Sequence, residues 1–129
     1  MAANEVRSYR DLRVWQNAME IAEGCYRVTK NFPKDEMYAM TSQIRRSSVS
    51  IAANIAEGYG RETSRAYANF LRTAQGSLKE LETHLLISER VELLVASDAK
   101  LLLEKCDDLG RMLRSLIRKI DNSGERQAV

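Results

Sequence analysis

The sequence predicts an all-α protein, an antiparallel up-down four-helix bundle that forms a single domain. Apolar residues recur at alternating steps of three and four along four segments, and short loops join these segments. The chain has 129 residues with one proline and six glycines, too few turn-forming residues for an all-β fold. We expect an N-terminal extension over residues 1–10, the bundle over 11–121 and a polar, frayed tail over 122–129.

The first predicted helix carries two apolar stripes side by side. At ~100° per residue they cover an arc of roughly 200°, which is wider than one helix contact requires. We therefore expect this helix to bury surface twice, once in the core and once elsewhere, with another subunit as one candidate. Pro33 ends the helix because the residue before a proline is pushed out of the α region. The stripes are Leu12, Trp15, Met19, Ala22, Tyr26 and Thr29, and Val14, Ala18, Ile21, Cys25 and Val28.

The second helix is predicted from about Asp35 to Glu57. Asp35 and Glu36 suit its first turn because the helix dipole favours negative charge there. Gly58 and Gly60 follow, and we expect them to stop the helix and form the next loop. The apolar seam of this helix is Met37, Thr41, Ile44, Ser48, Ile51 and Ile55.

The third helix is predicted to begin at Thr63 or Ser64, since either can cap its N-terminus. Gly76 lies inside this helix at a cost of about 1 kcal/mol relative to alanine, which suggests close approach of a neighbouring backbone. After a short connection, Ser97 or Asp98 caps the fourth helix. The two seams are Tyr67, Leu71, Ala74, Leu78, Leu81 and Leu85, and Ala99, Leu102, Cys106, Leu109, Leu113, Leu116 and Ile120.

Positive charge collects on the third helix. Arg65, Arg72 and Lys79 are seven residues apart and form a line opposite the apolar seam. Arg61 joins this line of cations if the helix begins early. Such stripes suit phosphate backbones because each neutralised phosphate releases condensed counterion. The alternative is a solvated helix face, balanced by Glu62, Glu80, Glu82 and Glu104. The predicted nucleic-acid-binding residues are Arg45, Arg46, Arg61, Arg65, Arg72 and Lys79.

The second and fourth helices add further cations. Arg46 faces away from the core, whereas Arg45 points to a different flank. The fourth helix presents Arg111, Arg114 and Arg118 on its outer side, with Lys119 to one edge. Few aromatic residues lie between these cations, so binding is expected to depend on backbone or shape rather than on stacked bases.

No set of residues specifies a reaction, so we expect a protein that is not an enzyme and has no cofactor. The single histidine, His84, follows Glu80 by four residues rather than the three of a di-iron Glu-x-x-His motif. A zinc site lacks ligands, and the Gly58-Tyr59-Gly60 segment does not continue into a phosphate cradle. The remaining enzymatic alternative is a metal-dependent nuclease that uses Glu57, Glu62 or Asp35.

The cysteines and the N-terminus suggest a cytoplasmic protein. Cys25 and Cys106, the only two, both fall within apolar helical patterns, so we expect reduced core thiols rather than a disulfide or a metal site. Residues 1–10 do not read as a signal peptide, which favours a reducing compartment. No apolar run approaches the ~20 residues of a membrane span. We expect neither membrane binding nor a small-molecule substrate.

Several ordered motifs resemble the 23S rRNA-intervening sequence protein family, four-helix-bundle proteins encoded by intervening sequences within bacterial large-subunit ribosomal RNA genes. They extend from about Ser8 to Ile120, nearly the whole chain. Ala52 departs from the family pattern, which commonly has proline there, and this implies a straighter second helix. The matching motifs are Tyr9-Arg10-Asp11-Leu12 with Val14-Trp15, Asn31-Phe32-Pro33, Gln43-Ile44-Arg45-Arg46, Ser50-Ile51-Ala52-Ala53-Asn54-Ile55-Ala56-Glu57-Gly58 and Gly76-Ser77-Leu78-Lys79-Glu80-Leu81-Glu82-Thr83.

The resemblance implies an up-down bundle that assembles into homo-oligomers, notably pentameric rings. A similar bundle occurs in accessory proteins of diversity-generating retroelements, which bind nucleic acid and a reverse transcriptase through basic surfaces. The family supplies no catalytic residue to assign. We therefore expect a homo-oligomer that binds the backbone of RNA or DNA. The alternative is a protein-interaction scaffold without nucleic-acid binding.

Overall fold

A computed structural model describes the backbone of residues 5–128 and the side chains of residues 5–123. Each helix packs against the next along the chain, and the last returns to pack against the first. The predicted all-α, antiparallel four-helix bundle is therefore confirmed. The helices are α1 (Arg13–Thr29), α2 (Met40–Tyr59), α3 (Ser64–Arg90) and α4 (Ala96–Ala128), with single-turn 3₁₀ helices at Tyr9–Asp11 and Lys34–Glu36.

The chain enters the bundle through a capped turn at Ser8. The Ser8 hydroxyl accepts a hydrogen bond from the backbone N–H of Arg10 at 3.1 Å, while the Asp11 carboxylate accepts one from the N–H of Ser8 at 3.2 Å. This reciprocal pair is a capping box, which fixes the direction of the chain before α1. Met1–Asn4 of the predicted extension and Val129 of the predicted tail lie outside the described residues.

The core is formed by the predicted seams of all four helices. Leu71, Leu81 and Leu85 of α3 are fully buried, and Tyr67 at the start of that seam is half-buried. Burying one such leucine contributes about 1.5–3 kcal/mol to folding. In the last turns of the α4 seam, Ile117 is buried while Leu116 is half-buried, so the helix is rotated slightly from the predicted phase.

α2 begins at Met40 rather than near Asp35, so the predicted start of this helix is wrong. Lys34–Glu36 forms a separate 3₁₀ turn, and Ala39 has φ −120° and ψ −109°, outside the helical region. Glu36 still stabilises the N-terminus of α2 through its carboxylate. Its Oε1 accepts a hydrogen bond from the N–H of Met40 at 3.2 Å, satisfying one of the free donors of the first turn.

The N-termini of α3 and α4 differ in how well the sequence predicts them. Thr63 caps α3 as predicted, because its hydroxyl accepts a hydrogen bond from the N–H of Ala66 at 3.1 Å. α4 begins at Ala96, before both predicted caps, Ser97 and Asp98. Asp98 lies instead within the first turn of α4, where the helix dipole favours its negative charge.

Two glycines have roles other than those predicted. Gly58 does not stop α2 but lies buried in its last turn, where an added Cβ would lie 2.7 Å from the Cβ of Phe70. The missing side chain therefore lets α3 approach α2 closely, and Gly60 takes the C-cap position. Gly76 faces open space, with no described atom beyond its chain neighbours and its own helix backbone within 4 Å of an added Cβ. The close approach predicted there is wrong for the described part of the chain.

Cys25 and Cys106 are fully buried free thiols, which confirms the prediction of core cysteines. Burial raises the pKa of Cys25 from 9.0 to about 12, opposed in part by a hydrogen bond with Ser48. Burial also raises the pKa of Cys106 to about 12, with a smaller contribution from the nearby Cys25. Both groups are therefore neutral thiols without the thiolate character that nucleophilic chemistry requires.

Candidate nucleic-acid interface

The six predicted cations do not form one patch. Arg45 and Arg46 lie on the first half of α2, Arg61 lies in the loop before α3, and the remaining three follow one line along α3. Helical periodicity places residues correctly around each helix, but it does not show which neighbouring helix lies beside them. The three groups therefore have different partners and different accessibility.

Arg45 joins α1 to α2. Its Nε donates a hydrogen bond to the hydroxyl of Thr29 at 2.9 Å, and its guanidinium lies 4.7 Å from the centre of the Tyr26 ring. A cation over an aromatic face is attracted by the ring quadrupole, which holds the half-buried Arg45 in place. The neighbouring Arg46 is exposed, and its Nη2 donates to Oε1 of Gln43 at 3.2 Å. Arg46 is thus the more accessible cation of the pair.

Arg61 and Arg65 lie at the end of the bundle where α3 begins. The Arg61 guanidinium lies 4.6 Å from the centre of the Phe70 ring while its side chain stays exposed. Arg65 is also exposed and forms no ion pair with any described side chain. Both cations therefore keep charge available to an external anion.

The other two cations on α3 are paired within the chain. Arg72 Nη2 lies 2.5 Å from Oδ2 of Asp121 on α4, and Lys79 Nζ lies 2.9 Å from Oε1 of Glu82. The Arg72 side chain is 48% exposed and that of Asp121 is 39% exposed, so water screens this pair. Exposed pairs of this kind contribute only ~0–1 kcal/mol, and a phosphate can replace the carboxylate at little cost.

Core contacts show the register of α3 against α4. A Cβ added at Gly110 of α4 would lie 3.6 Å from the side chain of Leu78 on α3. Because the two helices are antiparallel, this contact places Arg72 nearly level with Leu116. The Arg72–Asp121 pair therefore reaches diagonally along the two helices.

A further concentration of cations lies in a groove between α1 and α4, which we call the basic groove. Its volume is about 670 Å³, and its floor includes Leu12 and Leu116. Every charged side chain that lines it is cationic, and Ser115 and Asn122 add hydrogen-bonding groups. The four cations are Arg13, Arg111, Arg118 and Lys119.

One contact beside the basic groove links its two walls, and two others pair one of its cations with carboxylates. The side-chain amide of Asn17 donates a hydrogen bond to the sulfur of Met112 at 3.0 Å, linking α1 to α4. Arg111 pairs with Asp107 at 2.6 Å and with Asp108, and the hydrogen bond to Asp107 is the main cause of its raised pKa. Arg13, Arg118 and Lys119 form no ion pair with a described side chain. These three residues carry the available positive charge of the groove.

Sequence reasoning placed the α4 cations on an outer surface but did not include Arg13 or the groove. The signal was present as Arg13 directly after Leu12, at the start of a helix that must lie antiparallel to α4 in an up-down bundle with its last helix beside its first. The missing information was the register, which the Asn17–Met112 contact supplies.

The second apolar face predicted for α1 forms an open groove against α2, which we call the apolar groove. Its volume is about 710 Å³. Mostly small side chains on α2 form one wall, and mostly larger ones on α1 form the other. In the isolated chain this second face of α1 is only partly covered. The principal lining residues are Trp15, Met19, Ala22, Tyr26, Val49, Ala52, Ala53 and Ala56.

The groups considered for catalysis remain scattered. His84 is half-buried, and its Nε2 has no hydrogen-bond partner among the described residues. Within the described part of the chain, no three His, Cys, Asp or Glu side chains lie close enough together to hold a metal ion. Nor does any helix in that part combine the length and apolarity needed to cross a membrane.

The fold defines a small four-helix-bundle protein with a groove between α1 and α4 that is lined by cations. The sequence profile described as 23S rRNA-intervening sequence protein matches residues 10–115. The chain therefore belongs to the 23S rRNA-intervening sequence protein family, as the motifs predicted.

A crystal structure from Bacteroides thetaiotaomicron shows a similar fold. It belongs to a protein of unknown function from the S23 ribosomal protein family. The two chains superpose with a TM-score of 0.73 and 25% sequence identity, over 81% of this chain and 97% of that one. No protein of curated function shows significant sequence similarity to this chain.

Proposed function

We propose that the protein is a non-enzymatic, cytoplasmic homo-oligomer that binds the phosphate backbone of RNA or DNA. The basic groove is the principal contact surface, and the exposed cations of α3 and its N-terminal loop extend it. The main support for this proposal is the charge of the groove, because all four charged residues that line it are cations. The extending cations are Arg61, Arg65, Arg72 and Lys79.

The chemistry of the groove favours sequence-independent binding. Its lining contains arginine, lysine, serine, asparagine and aliphatic side chains, but no aromatic ring on which a base could stack. Cations that neutralise phosphates release condensed counterions, which makes affinity strongly dependent on salt. Three phosphate contacts to a single strand, from the unpaired Arg13, Arg118 and Lys119, give an expected slope of about −2 in log K against log salt concentration.

Assembly of several copies would strengthen this weak surface. The net charge of one chain is only +2, so a single groove captures a polyanion poorly. A symmetric oligomer presents several basic grooves to one nucleic acid, and each additional contact becomes intramolecular. The partly covered apolar face of α1 supports an oligomer because it leaves a 710 Å³ apolar groove open in the isolated chain.

A titration of fluorescently labelled random-sequence RNA, read by anisotropy at two salt concentrations, tests the proposal. We expect R118E/K119E to lower affinity at least ten-fold and to reduce the salt slope by about half. The matched control is R90E/K100E, which makes the same change in net charge at exposed positions at the opposite end of the bundle. Equal losses from both double variants, or no loss from the first, contradict the groove as the binding surface.

A scaffold that binds proteins is the second candidate function. The apolar groove favours it, since a concave surface lined by alanine, methionine and aromatic side chains suits the apolar face of a partner helix. A specific protein partner that remains bound after nuclease treatment and in high salt would support the scaffold. Loss of the partner on A53R, at an exposed position of the groove, would place the contact there.

A further inference from the structure

The large apolar side chains exposed among the described residues fall into two patches. There are ten of them, and Val6 alone lies outside both patches. The first patch lies where α1 ends and α2 begins, and we call it the tyrosine patch. The second lies where α3 passes into α4, and we call it the valine patch. Their members are Tyr26, Met37, Tyr38 and Val49, and Leu86, Ile87, Val91, Val95 and Leu101.

The tyrosine patch is one continuous surface with a positive border. All four of its members line a single groove, and Tyr38 is 96% exposed there. Arg45 and Arg46 line the same groove. Tyr26 and Val49 also line the apolar groove, so the two surfaces are continuous. The charged residues of that extension are two cations and one carboxylate, namely Arg27, Lys30 and Glu23.

The valine patch has a mainly negative border, although the exposed Arg90 directly precedes Val91. Val91 and Val95 are 58% and 62% exposed on either side of Glu92, whose φ of 66° turns the chain from α3 into α4. Leu86 lines a shallow groove between these helices that carries four carboxylates and one lysine. The charged residues of that groove are Glu82, Glu89, Glu104, Asp107 and Lys100.

The two patches cannot meet within one chain. In an antiparallel bundle, the end of α1, the start of α2, the end of α3 and the start of α4 all lie at one end. The helices contact only their neighbours in cyclic order, so the α1–α2 edge lies opposite the α3–α4 edge. Each patch therefore needs a partner from outside the chain to be covered.

We propose that the tyrosine patch of one copy binds the valine patch of a second copy. Apolar surface of both patches is buried in this contact, and the positive border of one faces the negative border of the other. Pairing either patch with itself would oppose like charges. The proposal rests on the homo-oligomer in the proposed function and names the surfaces that join its subunits.

The test uses two variants that damage one patch each. Y38E places a negative charge in the tyrosine patch, and V95K places a positive charge in the valine patch. Both positions are exposed, so circular dichroism should show unchanged helix content. We expect each variant to weaken association at least ten-fold, so that the mass measured by light scattering falls towards the 14.7 kDa of one chain. V6E, at the exposed apolar residue outside both patches, should keep the wild-type mass.

Mixing the two variants provides the decisive measurement. In a 1:1 mixture, the intact valine patch of Y38E can bind the intact tyrosine patch of V95K. The two altered patches also carry opposite charges. We therefore expect the mixture to regain at least twice the mass of one chain, although neither variant associates alone.

Each other result overturns the proposal in a recognisable way. If the wild type associates and both variants associate equally well, the homo-oligomer stands but these two surfaces do not form its contact. Association lost in Y38E and kept in V95K would mean that the tyrosine patch pairs with itself. A mixture that stays at 14.7 kDa would reject the cross-contact, and a monomeric wild type would reject the homo-oligomer as well. RNA titration of Y38E, read separately, shows whether nucleic-acid binding by the chain depends on this contact.

Discussion

Gly58 of α2 and Phe70 of α3 lie so close that the first carbon of any side chain at position 58 would be 2.7 Å from the Cβ of Phe70. The same added atom would lie 3.2 Å from the backbone oxygen of Tyr67. Because one of these neighbours is backbone, the strain cannot be relieved by rotating a flexible side chain. The close packing of α2 on α3 near their connection depends on this one glycine.

Replacing Gly58 with alanine should therefore destabilise the protein by about 1–3 kcal/mol, as overpacking does in other cores. Urea unfolding followed by circular dichroism measures this change. The matched control is Gly76→Ala, where no described atom lies within 4 Å of the new Cβ and the position is exposed on α3. There the better helix propensity of alanine should raise stability by about 0.5–1 kcal/mol. Similar effects at both positions would contradict the packing described at Gly58.

The buried thiols should make stability fall in alkaline solution. In the native state each cysteine stays protonated up to a pKa of about 12, whereas the unfolded chain loses the proton near 9.0. The contribution is complete below pH 9 and is lost as pH rises from 9 towards 12, by as much as ~1.4 kcal/mol per pH unit for each thiol. Urea unfolding across this range should show a shallower pH dependence for C25A/C106A. Identical slopes for the variant and the wild type would mean that the thiols do not titrate differently on unfolding.

Removing Arg45 should destabilise the bundle although the side chain is charged and lies near the surface. Arg45→Ala removes both the hydrogen bond to Thr29 and the contact with the Tyr26 ring, for an expected loss of about 1–2 kcal/mol. Arg46→Ala, one residue along, should change stability by less than about 0.5 kcal/mol because Arg46 is exposed. Thermal unfolding of both variants tests the difference. A loss of equal size at both positions would contradict the role of Arg45 in joining α1 to α2.

Freeing Arg72 should strengthen nucleic-acid binding. Asp121→Asn removes the carboxylate that pairs with Arg72. The positive charge of the guanidinium is then no longer neutralised within the chain and can interact with a phosphate. We expect RNA affinity to rise about two- to five-fold at low salt, with a stability change below about 1 kcal/mol. Asp98→Asn makes the same charge change in the first turn of α4, at the other end of the bundle, and should leave affinity unchanged. Equal gains from the two variants would indicate a general charge effect rather than a contact at Arg72.

The fold could be predicted because each helix has a continuous apolar seam and because the loops are short. The element that was predicted poorly, the start of α2, depends on the φ and ψ angles of Ala39, a residue with no strong preference of its own. Gly58 was assigned to the helix end because glycine is common there, whereas its actual role depends on Phe70 across the α2–α3 contact. Packing between elements decided both positions, and periodicity does not contain that information.

The candidate site was harder to predict for the same reason. The line of Arg65, Arg72 and Lys79 on α3 follows from the heptad spacing, but its pairing with Asp121 depends on the register of α4. The basic groove unites Arg13 with Lys119, which are distant in the sequence and close only in the folded chain. Single helices can be projected from the sequence, but grooves require two helices at a known register.

The position of Trp15 makes the apolar groove observable in solution. This half-buried indole is the only tryptophan in the chain, it lines the groove, and its ring lies edge-on to Tyr9 with 5.4 Å between their centres. Any molecule that covers the groove would remove water from the indole, shift its fluorescence emission to shorter wavelength and protect it from quenching by acrylamide. The native protein therefore carries an intrinsic optical reporter for occupancy of this surface, with no attached dye required.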